Sequence, residues 1–129
     1  MLNIKDIQFA YGSVQVLYDV SLEVPKGSVV CLMGRNGVGK TTLLSSMAGV
    51  LQPQEGYVEI DGKRRRASVE DELAIRRQVV WLPDHPWLPK NRTGREFLLS
   101  VGRLYEIEPN PLLAHVDSLL GLFELTGLA

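Results

Sequence analysis

The chain has 129 residues, a mass of 14.4 kDa, 45% hydrophobic and 22% charged residues, and a formal net charge of −1. That is one domain's worth of core at most, the composition excludes a disordered chain, and the charge gives no electrostatic case for nucleic acid. The longest apolar run, Val29 to Met33, is five residues, far short of the roughly twenty that a bilayer span needs.

The opening from Met1 to Asp6 has no apolar h-region, which argues against a signal peptide. Cys31 is the single cysteine, so no internal disulfide is possible and a reducing compartment fits. Tyr18, Val20, Leu22 and Val24 alternate with polar residues, the period of a half-buried strand. Ile7, Phe9 and Tyr11 predict a strand before it, paired through a Gly12-Ser13 turn. Pro25-Lys26-Gly27 breaks the chain. The run from Val29 to Met33 reads as a strand covered on both faces in a parallel sheet, with Cys31 a buried small hydrophobe.

A glycine-rich turn from Gly34 to Gly39 follows, then a helix over Lys40 to about Ala48 that Gly49 stops. Tyr57 to Ile60 is a short strand closed by Asp61-Gly62, and the basic run from Lys63 to Arg66 reads as a solvated loop. Ser68 with Asp71 marks a short helix, and Val79 to Leu82 another strand. Pro83 to Arg92 is irregular. Thr93 with Glu96 forms a capping box for a helix carrying Phe97, Leu98, Val101 and Leu104. Asn110-Pro111 reads as an N-cap with proline at the first helical position. Leu112, Leu113, Val116, Leu119, Leu120 and Phe123 then share one helix face. His85 and His115 carry no catalytic pattern.

Gly34-Arg35-Asn36-Gly37-Val38-Gly39-Lys40-Thr41 fits the P-loop pattern G-x-x-x-x-G-K-[ST]. Shuffled sequences of this composition match it about 0.4% of the time, so chance is a poor explanation. The flanking pattern of strand and helix sharpens the case. Glycines let successive backbone N–H groups turn around an anion without Cβ obstruction. The helix start points its positive end at the same place. Lys40 supplies a point charge for phosphates, and the Thr41 hydroxyl is a hard oxygen ligand suited to Mg²⁺.

Tyr11-Gly12, this P-loop, Leu82-Pro83-Asp84 and the stretch from Thr93 to Leu98 come in an order that resembles the ATP-binding domain of ABC transporters. So does the opening, through Val16 to Val24 and Lys26-Gly27. The resemblance covers essentially the whole chain. It implies an α/β P-loop NTPase fold of the ABC type. An antiparallel β portion and P-loop core would fill residues 1–92, and a helical subdomain would begin over 93–129. It implies ATP and Mg²⁺ as ligands, with Gly34, Arg35, Asn36, Gly37, Val38, Gly39, Lys40, Thr41 and Thr42 around the phosphates. Tyr11 would stack on adenine, Val16 would pack beside the nucleoside, and Thr42 would reach the α-phosphate. Asp84 stands where the family usually has glutamine, and the resemblance gives it, with Thr41, to the metal.

The same resemblance implies a transmembrane transporter subunit and a second ATP-binding domain as partners, and a place on the cytoplasmic face of a membrane. It gives no role to nucleic acid. Residues 1–129 contain no LSGGQ signature, no Walker B strand ending in Asp-Glu and no switch histidine, so they resemble the N-terminal portion of the domain. Binding without hydrolysis is expected from them. An open sheet edge and a tendency to aggregate are expected too. The alternatives are a non-hydrolysing or vestigial nucleotide-binding module and a soluble ABC ATPase outside transport. A GTPase is disfavoured because no Asn-Lys-x-Asp motif occurs.

Overall fold

A computed structural model describes residues 1–128. The chain divides into two compact units, Met1–Trp81 and a second beginning at Leu82.

In the first unit, strands β1 (Leu2–Tyr11) and β2 (Val14–Val24) form a long hairpin. Gly12, at φ 60°, turns it. On its other edge β1 pairs antiparallel with β3 (Glu55–Ile60), which turns through Asp61-Gly62 into the short β4 (Lys63–Arg64). The sheet order is β2-β1-β3-β4. Asp6 sits in the left-handed region at φ 51° and interrupts both ladders. This irregularity explains why Ile4 and Ile7, three residues apart, are both buried on a strand whose period is two. Opposite it stands Gly56, where a Cβ would collide with the backbone of Lys5 and Asp6.

Helix α1 (Lys40–Ala48) lies on the buried face of the sheet. Its Leu43 joins Ile4, Ile7, Phe9, Leu17 and Val58 in one core cluster. Its other buried residues, Thr42, Ser45 and Ser46, are small, and the Ser46 hydroxyl donates to the Thr42 carbonyl at 2.9 Å. Gly49, at φ 83°, ends the helix as expected. Helix α2 (Val69–Gln78) starts at Ser68, whose hydroxyl accepts from the Asp71 N–H.

The second unit contains α3 (Gly94–Leu104) and α4 (Pro109–Leu122). Both halves of the Thr93–Glu96 capping box form. Leu112, Val116 and Leu120 of α4 are buried against Leu98 and Leu99 of α3. Gly102 lets α4 approach, since a Cβ there would run into the Leu112 side chain. Arg95 and Asp117 pair across the two helices.

The structure corrects several sequence expectations. The runs 29–33 and 79–82 form no strand, and the sheet among the described residues is wholly antiparallel. A strand is defined by ladder partners, and neither run has one. Instead both help line an apolar groove of about 580 Å³, with Leu22, Leu44, Met47 and Ile60. Cys31 is accordingly exposed, not buried. Helix α4 begins at Pro109 with Glu108 as its cap, ahead of the expected Asn110, because either proline suits a first turn. On its stripe Leu113 and Phe123 are exposed. Finally, Arg65 in the basic run is not solvated: its side chain is 5% exposed.

Candidate functional site

The end of β1, the first part of β2 and the start of α1 converge on one glycine loop. Gly37 (φ 81°) and Gly39 (φ 107°) hold left-handed conformations that an L side chain adopts only with strain. Gly39 caps α1 and lies directly on β2: a Cβ there would come within 3.1 Å of both Val16 Cγ1 and Leu17 Cδ2. So β2 sets the height of the loop. Val16, half-buried, supports Gly39 from below.

Gly34, Arg35, Asn36, Gly37 and Val38 are exposed around the loop. The Lys40 ammonium folds back along it, donating to the Gly34 carbonyl at 2.5 Å and the Arg35 carbonyl at 2.7 Å. The first-turn N–H groups of a helix have no intrahelical carbonyl to bind. No acidic side chain occupies the first turn of α1, and no side chain caps it. The helix dipole and Lys40 therefore favour an anion here, with no local carboxylate competing.

The two threonines diverge. Thr41 is exposed, and Thr42 is buried, with Oγ1 3.2 Å from the Tyr11 hydroxyl. The Tyr11 ring, 52% exposed, meets the Phe9 ring edge-on at 4.9 Å between centroids. Tyr11, Val16, Lys40, Thr41 and Thr42 thus belong to one unit. Asp84 belongs to the second unit, exposed in an irregular stretch, as is its neighbour His85. His115 is exposed on α4.

The other end of α1 carries a device that residue patterns did not reveal. Arg65 Nε donates to the Met47 carbonyl at 2.8 Å, and Arg66 donates from its guanidinium to the Gly49 carbonyl at 3.2 Å. Arg65 Nη1 pairs with Glu72 Oε1 at 2.9 Å. Glu72 Oε2 accepts the Arg66 N–H at 3.1 Å. Burial alone would raise the Glu72 carboxyl, but the Arg66 N–H together with Arg65 and Arg76 holds it below the usual glutamate range. Burial is also what lowers the Arg65 guanidinium from its ordinary value, against the pull of Glu72. The available signal was Glu72 in the first turn of a Ser68-capped helix, one loop away from three arginines.

A glycine loop that opens a helix with lysine and two threonines, seated on an antiparallel sheet, defines the class: a P-loop nucleotide-binding fold. Comparison with known proteins specifies it. A family model described as ABC transporter matches residues 17–127. The sulfate/thiosulfate import ATP-binding protein CysA of Synechococcus elongatus is 34% identical over 128 residues, covering 98% of this chain and 36% of that protein. A solved ATP-binding subunit of an ABC transporter superposes with a TM-score of 0.84 at 30% identity, over 99% of this chain and 52% of the other. A dimeric ATP-binding cassette bound to ADP and Pi shares the fold, with a TM-score of 0.79 at 24% identity, over 96% of this chain and 57% of the other.

The chain belongs to the ATP-binding family of ABC transporters. It spans between about a third and somewhat over half of the length of these relatives.

Proposed function

We propose that the chain is the nucleotide-binding portion of an ABC transporter ATP-binding subunit and takes Mg-ATP at the Lys40 loop. The observation that carries this is the cradle itself: two left-handed glycines, a lysine lying along the loop, and a helix start without acidic residues. The backbone N–H groups from Gly34 to Gly39 and the Lys40 ammonium would hold the β- and γ-phosphates. Thr42 would donate to the α-phosphate, Tyr11 would stack on adenine, and Val16 would pack beside the nucleoside.

The donor chemistry also suits Mg²⁺. Thr41 offers an exposed hydroxyl at the helix start, a hard oxygen donor. When bound, the metal supplies neutralisation of phosphate charge. Thr41 would hold it, and Lys40 would neutralise the remaining phosphate oxygens.

Binding, not turnover, is the activity we assign to residues 1–129. The family resemblance gives the water-positioning base and the second phosphate clamp to motifs outside them. For the whole protein we propose coupling to a transmembrane subunit, pairing with a second ATP-binding domain and a place on the cytoplasmic face, a reading that family membership supports. No helix among the described residues is long and apolar enough to cross a membrane.

Calorimetric titration with Mg-ATP tests the reading. Saturable binding that Lys40→Ala abolishes is the expected result. Equal binding by both chains would refute it.

A further inference from the structure

The Tyr11–Thr42 contact joins the two halves of the proposed nucleotide site. Tyr11 ends β1 and Thr42 lies in the first turn of α1, yet their hydroxyl oxygens are 3.2 Å apart. Thr42 is only 7% exposed. Its side chain is therefore confined to few partners, and the Tyr11 hydroxyl is one of them.

In the chain alone, either oxygen can be the donor. A hydroxyl has one proton to give and two lone pairs to receive. An ionised phosphate oxygen can only accept. A Thr42 that serves a phosphate must spend its single proton there. The Tyr11 contact survives only if Tyr11 donates and Thr42 accepts. That direction is the favourable one, since a phenol is a better proton donor than an aliphatic alcohol. The result is an ordered chain from Tyr11 Oη–H to Thr42 Oγ1–H to phosphate. Each bond in such a chain polarises and strengthens the next.

We propose that the Tyr11 hydroxyl is a positioning group: by donating to Thr42 Oγ1 it directs the Thr42 proton at the bound phosphate. The same bond fixes the Tyr11 ring, already set edge-on against buried Phe9, relative to the phosphate cradle. Base shelf and cradle then act as one hydrogen-bonded unit. This rests on the Mg-ATP reading above.

A double-mutant cycle tests it, with Mg-ATP affinity measured by calorimetry for the wild-type chain, Tyr11→Phe, Thr42→Val and the pair. Phenylalanine keeps the ring and loses only the hydroxyl. Tyr11→Phe should weaken binding about twofold to tenfold, the range of one net hydrogen bond. In the Thr42→Val background the same change should have almost no effect. Thr42→Ser, which keeps a hydroxyl and guards against a misfolded valine variant, should restore the Tyr11→Phe penalty. Equal or tighter binding by Tyr11→Phe would overturn the proposal. So would a full penalty that persists without the Thr42 hydroxyl. In either case wild-type binding would still stand above that of Lys40→Ala. A wild-type chain that bound no better than Lys40→Ala would instead sink the Mg-ATP reading, and this proposal with it.

Discussion

Arg65 and Glu72 pair at 2.9 Å while the same guanidinium closes the C-terminal end of α1 through the Met47 carbonyl. The helix that carries the glycine loop is therefore held at both ends. Val16 and Leu17 lie under Gly39 at the start, and a largely buried ion pair sits at the finish. A positive charge at a helix C-terminus also complements its dipole. Removing one member of a buried pair strands the other, at a cost of about 3–5 kcal/mol. Glu72 keeps some contact with water, so the lower part of that range applies to Arg65→Ala. Urea unfolding of the two single variants and the double variant checks this. The double variant should lose less than the sum of the singles.

Glu72 also sets a pH dependence. Its carboxyl is lower in the folded chain than the ordinary glutamate value of 4.5. The unfolded chain therefore takes up the proton first as pH falls. The stabilisation from Glu72 is complete above about pH 4.5 and is lost as pH drops through the folded value. Thermal melts between pH 7 and pH 3 should show a steeper acid loss for the wild-type chain than for Glu72→Gln. Asp61 is lowered as well, by a hydrogen bond from the Met1 amine and by that amine's charge. Asp61→Asn as a control should leave the difference due to Glu72 in place.

Gly39→Ala should damage the site directly. A left-handed residue with a side chain costs about 1–3 kcal/mol in strain. Here the added methyl would also press on Val16 and Leu17 at 3.1 Å. The expected outcome is a lower melting temperature together with loss of Mg-ATP binding. Gly12→Ala meets no atom within 4 Å and lies outside the loop, so it should lower stability alone.

The apolar groove leads to a third kind of outcome. Val80 in its lining and Val29 and Met33 beside it are more than four-fifths exposed, on backbone that joins no sheet. Such surface attracts hydrophobic dyes and other chains. The chain should bind anilinonaphthalene sulfonate and sediment partly as oligomers at micromolar concentration. Val29→Lys with Val80→Lys should reduce both. A sharp two-state melt with a purely monomeric sedimentation profile would contradict this.

What could be read from the sequence was what neighbouring residues decide among themselves. Gly49 stops α1, Thr93 and Glu96 cap α3, and Gly12 turns the first hairpin, each within a few residues. The glycine loop and its lysine were visible for the same reason. What escaped depended on partners distant in sequence. Residues 29–33 have strand composition, but composition supplies no ladder. The spacing of Ile4 and Ile7 breaks a period of two because Asp6 interrupts the pairing, and Gly56 opposite it is what leaves room. Arg65 looks like its exposed neighbours until Glu72 and the Met47 carbonyl are brought to it.

The strand order has a consequence for synthesis. The first strand made, β1, is an interior strand, flanked by β2 on one side and β3 on the other. Its first edge can close as soon as the hairpin to Val24 has left the ribosome. Its second edge must wait for Glu55 to Ile60, and the glycine loop and α1 are translated in that interval. β3 is therefore added beside a cradle already made, and every strand among the described residues lies between Leu2 and Arg64. Local pairing first and a longer closure second is the order that loop entropy favours.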